Sequence, residues 1–155
     1  MSFQITALEA ERFTHLFDLS DAELAEHLAV RVTATSKPGF PCRVSLADAE
    51  IGDEVILVNH QHQGGASPYR ATHAVYVRKG VPQARPAVGE IPELFLARAL
   101  SLRAFDDHAM LVGVDLVEGG DLEPALERML AEPTAAYVHI HYAKAGCYAA
   151  RADRA

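Results

Sequence analysis

Two short stretches of the chain set histidines one residue apart: His60 and His62 in "VNHQHQ", and His139 and His141 in "YVHIHYA". Side chains alternate between the two faces of a β-strand, so each pair shares a face, with about 7 Å between its members at the backbone. Neutral imidazole is a common metal ligand, and an H-x-H pair on a strand is a start to a zinc or iron site. His60, His62, His139 and His141 are therefore the expected ligands of zinc or another divalent metal. A hairpin that sets Val58 opposite Val77 would also bring His62 opposite His73, gathering three histidines at one end of a sheet.

Arginine offers a rival chemistry. Arg43 sits in the loop "GFPCRVSL", stiffened by Pro41 and the preceding Pro38, and Arg70 closes "SPYR" just after a Gly-Gly turn whose backbone N–H groups are accessible. A guanidinium binds carboxylate or phosphate through a planar fork of donors, and loops at the rim of a sheet are where small ligands enter. Arg43 and Arg70 are expected to hold a small anionic molecule, with His73 or His141 as proton donor or acceptor near neutral pH. Cys42, next to Arg43, is the candidate nucleophile. Ser45 and Asp48 match the spacing of a capping box and read as the start of a helix.

The closing stretch "YVHIHYAKAGCYAARADR" leaves two registers open. With His141 opposite Ala149, Cys147 and Arg151 join the histidine face and form a mixed polar site. With Tyr142 opposite Cys147, the cysteine belongs to the core face and the histidines stand without it.

The elements that must position these residues follow from periodicity. "FQITAL" and the β-branched "VRVTAT" read as strands, and "LSDAELAEHLA" as a short helix with Ser20 as N-cap and Glu23 completing a capping box. "DEVILVNHQHQ" and "THAVYVRK" are successive strands, the first apolar on both faces over its opening half. "IPELFLARA" begins like a helix, and "LSLRAFDDHAMLVGVDLVEG" reads as a hairpin turning at Asp106 and Asp107. Leu122, Ala125, Leu126, Met129 and Leu130 repeat at helical spacing up to Pro133. The final strands are "AYVHIHYA" and "CYAARA". The fold class is α+β: a single domain, 1–155, with an antiparallel-rich sheet and about three helices.

Composition limits the partners. The 155-residue chain has a formal net charge of −7, which argues against a nucleic-acid binder, because neutralising phosphates needs a basic surface. Residues 61–90 reverse the balance, with Arg70, Arg78, Lys79 and Arg85 against Glu90, a strip suited to a small anion rather than a polymer. No apolar run approaches the roughly 20 residues of a membrane span. "MSFQITALEAERF" shows no positively charged leader followed by a long apolar run, and the two cysteines, Cys42 and Cys147, read as free thiols, so the expected location is cytoplasmic.

"GFPCRVSLADAEIGDEVILVNHQH", "SPYRATHAVYVR", "LSLRAFDDHAMLVGVDLVEG" and "YVHIHYAKAGCYAARADR" together resemble the bacterial domain-of-unknown-function family 1203, over nearly the whole length. The carriers of the resemblance are a P-C-R loop, an S-P-Y-R loop and a terminal G-C-Y-x-A-R. It implies a small cytoplasmic bacterial protein and brings no activity or cofactor with it. The shared stretches hold Cys42, Arg43, Tyr69, Arg70, Cys147 and Arg151, the first candidates for a common pocket.

Three functions are consistent with these residues. The leading one is binding, with or without turnover, of a small anionic metabolite by Arg43, Arg70 and histidines. The second is a metal protein built on the two H-x-H pairs, and the third is a non-catalytic homodimeric interaction module whose sheet face is the interface.

Overall fold

The computed structural model describes residues 2–155. Its strands are β1 (Phe3–Thr6), β2 (Ala29–Thr33), β3 (Pro41–Cys42), β4 (Ala47–Asp48), β5 (Glu54–Gln63), β6 (Ala71–Arg78), β7 (Ala99–Phe105), β8 (Leu111–Glu118), β9 (Tyr137–Tyr142) and β10 (Tyr148–Arg154). Three α-helices join them: α1 (Asp21–Glu26), the single turn α2 (Glu93–Leu96) and α3 (Leu122–Ala131). The fold is α+β, and the strands divide between two five-stranded sheets, ordered β1-β10-β9-β7-β8 and β2-β5-β6-β3-β4. Every pairing is antiparallel except that of β3 with β6. Among the described residues, no helix is long and apolar enough to cross a membrane.

The first sheet buries one face against α3. Leu122, Ala125, Leu126, Met129 and Leu130 lie on the helix stripe that their spacing predicts, and all five are buried. They pack in one apolar cluster with Leu100 and Leu102 of β7, Val138 and Ile140 of β9, and Phe3 and Ile5 of β1. Each fully buried Leu or Ile side chain removes enough apolar surface from water to contribute about 2 kcal/mol. The opposite face of this sheet carries Arg103, His139, His141, Tyr148 and Arg151, as strand alternation requires.

The second sheet has its own core. Ile56 and Val58 of β5 and Val75 and Val77 of β6 pack with Phe13, Leu16 and Leu24. Leu24 lies on α1, whose start follows the sequence signal: Ser20 Oγ accepts the Glu23 N–H at 3.2 Å in a complete capping box. No helix starts at Ser45, contrary to the capping-box reading. Asp48 instead ends β4 and receives two hydrogen bonds from Arg98, at 3.0 and 2.5 Å. A bidentate guanidinium 50 residues away takes the carboxylate that a local cap would have used.

Backbone approach dictates one glycine. A Cβ on Gly119 would lie 1.8 Å from the Phe95 carbonyl oxygen, so only glycine lets the segment leading into α3 pass over α2.

The two sheets meet at the ends of β5 and β6, which approach β9 and β10. There Gln63 Nε2 donates to the Tyr137 hydroxyl at 2.9 Å, and Arg43 Nε donates to the Tyr148 carbonyl at 2.9 Å.

Candidate metal centre

The β5–β6 hairpin pairs Val58 with Val75 and His60 with His73. The expected pairing of Val58 with Val77 is displaced by two residues, a shift that keeps the same face because strand side chains repeat every two. A β-bulge between Gln61 and Gln63 leaves His62 without an opposing residue. Its ring lies nearly parallel to that of His73, with centroids 4.7 Å apart, and to that of Tyr148, at 5.0 Å. His62 Nε2 and His73 Nδ1 are 2.8 Å apart and share a hydrogen bond.

From the other sheet come His139 and His141. The terminal hairpin combines elements of both registers left open by its sequence. Tyr142 N–H donates to the Cys147 carbonyl, so the cysteine falls on the core side. A bulge between Tyr148 and Ala150 then restores Arg151 opposite His139, while Tyr148 stands opposite His141. The site therefore gains Arg151 and Tyr148 and does not contain Cys147.

His141 has a defined tautomer. Its Nδ1 lies 3.0 Å from the Gly146 carbonyl oxygen, which can only accept, so Nδ1 carries the proton and Nε2 presents a lone pair. That Nε2 is buried and has no hydrogen-bond partner. His62 Nδ1 and His139 Nδ1 are likewise buried and unpartnered. Ring nitrogens of His62, His139 and His141, one from each, all lie within 4.8 Å of one another. Small inward rotations of the rings would bring three such donors to one ion at the roughly 2.0–2.1 Å of a zinc–nitrogen bond.

Electrostatics favours the ligand form. Burial, and then the neighbouring His73, His60 and Arg103, hold His62 down to about 4. Burial likewise holds His139 and His141 down to about 3, with Arg103 and the other histidines adding to it. All three imidazoles are therefore neutral at pH 7, the state that binds metal.

Arg103 is the residue that sequence reasoning missed. It lies on β7 opposite His139, and among the described residues its side chain makes neither an ion pair nor a hydrogen bond. The signal was present: alternation in "ALSLRAF" puts Arg103 on the face opposite Leu100 and Leu102. Arg151 is held by both carboxylate oxygens of Asp153 and lies over the Tyr137 ring, 4.0 Å from its centroid. A cavity of about 210 Å³ lined by His62, His139, Tyr148 and Arg151 gives access from outside.

The other predicted residues lie apart from the three histidine donors. His60 packs edge-on against Phe13 and contributes only to the wall of the entry cavity. Arg70 is exposed and donates to the carbonyls of Gly64 and Gly65, and Tyr69 is exposed with its ring against Phe105. Cys42 is fully buried in the core of the second sheet, where its sulfur accepts the N–H groups of Ser45 and Arg78. Among the described residues no histidine hydrogen-bonds to this sulfur, and its apolar surroundings are those of a small core residue. Arg43 is buried in a cavity from which Arg70 and the histidines are absent.

The family model described as "Protein of unknown function (DUF1203)" matches residues 39–154. The chain belongs to this family. The match takes in all three converging histidines together with Arg103 and Arg151, while β1, α1 and β2 precede it. No curated protein and no solved structure matches the chain.

Proposed function

We propose that this DUF1203 protein binds one divalent metal ion of the zinc class through His62, His139 and His141, and receives a small anion or water at the remaining coordination position. The observation that supports this most is the coincidence of two independent features in the same residues. The three histidines whose ring nitrogens converge are the three that each leave one buried nitrogen without a partner. Burying an unsatisfied polar atom costs about 1–3 kcal/mol, and a metal ion removes that cost for all three. His73 on His62 and the Gly146 carbonyl on His141 stand where outer partners orient metal-ligating imidazoles.

A three-histidine set leaves a position open for water or substrate, and a bound zinc lowers the pKa of that water to about 7. Arg103 supplies positive charge beside it with no internal carboxylate to neutralise it, which suits an anionic ligand. The histidine face with Arg103 and Arg151 thus offers a place for a small anion that does not use Arg43 or Arg70. Metal analysis of the untagged protein tests the reading: close to one equivalent of zinc, iron or nickel is expected, and less than about a tenth of an equivalent, before and after reloading, overturns it.

The homodimer reading would use the solvent side of β8, an edge strand that exposes Val112, Val114 and Leu116 in a row.

A further inference from the structure

On the other side of β9 from the histidines is a larger cavity, of about 390 Å³. Its polar wall is made by Arg43, Tyr142, Lys144 and Cys147, with Arg98 beside them, and much of the rest is proline, alanine and the ring of Tyr76. Arg43 is 1% exposed. Its Nε and Nη1 donate to the carbonyls of Tyr148 and Pro41, and its Nη2 lies 3.0 Å from Cys147 Sγ. Among the described residues it forms no ion pair with a carboxylate. Neither does Lys144, whereas the charge of Arg98 is met by Asp48.

A buried guanidinium without a counter-charge is costly, and proteins meet that cost with an anion held at close range. Arg43 has five N–H donors, of which three are taken up, so two remain. Tyr142 provides a second, independent sign. It is 7% exposed and its hydroxyl is buried without a partner. The guanidinium carbons of Arg43 and Arg98 lie 5.0 and 5.3 Å from its ring centroid.

We infer that this cavity is a second binding site, for a small organic carboxylate with an apolar body. Its charge is met by Arg43 and Lys144, its oxygen accepts from the Tyr142 hydroxyl, and its hydrocarbon part lies against the proline and alanine wall. The site does not depend on the metal centre, because Tyr142 and the histidines point to opposite faces of β9.

Benzoate is the probe, with benzamide as its neutral counterpart. Titrated into the full chain and followed by NMR, benzoate should bind with an affinity of about 10 mM or tighter and slow the alkylation of Cys147 by iodoacetamide. Cys42, fully buried, serves as the unreactive control. Tyr142→Phe, which removes only the hydroxyl, and Lys144→Gln should each weaken benzoate about tenfold while leaving the metal content unchanged. Benzamide binding as tightly as benzoate, no benzoate binding, or benzoate binding unaffected in both variants overturns the proposal. So does a thiolate absorbance at pH 7 that disappears in Cys147→Ser, because the sulfur would then be the counter-charge of Arg43.

Discussion

His141 and Gly146 face each other across the turn between β9 and β10, and the hydrogen bond between His141 Nδ1 and the Gly146 carbonyl selects the tautomer of a buried histidine. Gly146 can place its carbonyl there because its φ is 78°, in the left-handed region. A turn residue with no functional group of its own thereby determines which ring nitrogen keeps its lone pair.

Gly146→Ala tests this coupling. No atom lies within 4 Å of the added Cβ, so the cost is conformational, about 1 kcal/mol. Thermal unfolding should register it, and a competitive chelator titration should show metal affinity reduced by about tenfold as the carbonyl shifts.

Single alanine replacements separate ligands from neighbours. His62→Ala, His139→Ala and His141→Ala should each bring metal content below about a tenth of an equivalent. His60→Ala should keep a full equivalent, and His73→Phe should retain metal with affinity about 10–100-fold lower. Loss of metal on replacing His60 would show that the ion lies elsewhere.

Acid should destabilise the chelator-treated protein well above the carboxylate range. His139 and His141 titrate near 3 when folded and near 6.5 when unfolded, so between these values the unfolded chain binds more protons. Their contribution is fully present above about pH 6.5 and is lost as pH falls toward 3, about 2 kcal/mol for each by pH 5. Urea midpoints at pH 7 and pH 5 give the comparison, and an unchanged midpoint would contradict the burial of these rings.

Two core substitutions probe the frame that holds the site. Leu126→Ala should cost about 2–5 kcal/mol. Gly119→Ala must displace backbone at Phe95 and should be at least as damaging as an ordinary core truncation. Denaturant unfolding of each variant measures both.

Local chemistry was legible in the sequence, and long-range pairing was not. The Ser20 cap and the apolar stripe of α3 involve residues within one or two turns of each other. Alternation puts the histidines of β5 and β6 on a common face even with the register displaced by two residues, because it tolerates even displacements. The bulges at His62 and Ala149 carry no compositional mark. The division of the strands into two sheets, and the choice of Arg98 as partner for Asp48, depend on segments far apart in the chain. Hairpin alternation alone brings His73 beside His62, whereas the convergence of His139 and His141 on His62 rather than His60 depends on the meeting of the two sheets.

The bulge at Ala149 also separates two residues that a straight strand would hold together. Cys147 and Arg151 are four positions apart and would share a face, yet one borders the Arg43 cavity and the other the histidines. Ala149 works as a phase shift within the hairpin, so Cys147 and Arg151 are directed to different pockets. Deleting Ala149 should therefore straighten β10 and still direct both side chains as they are.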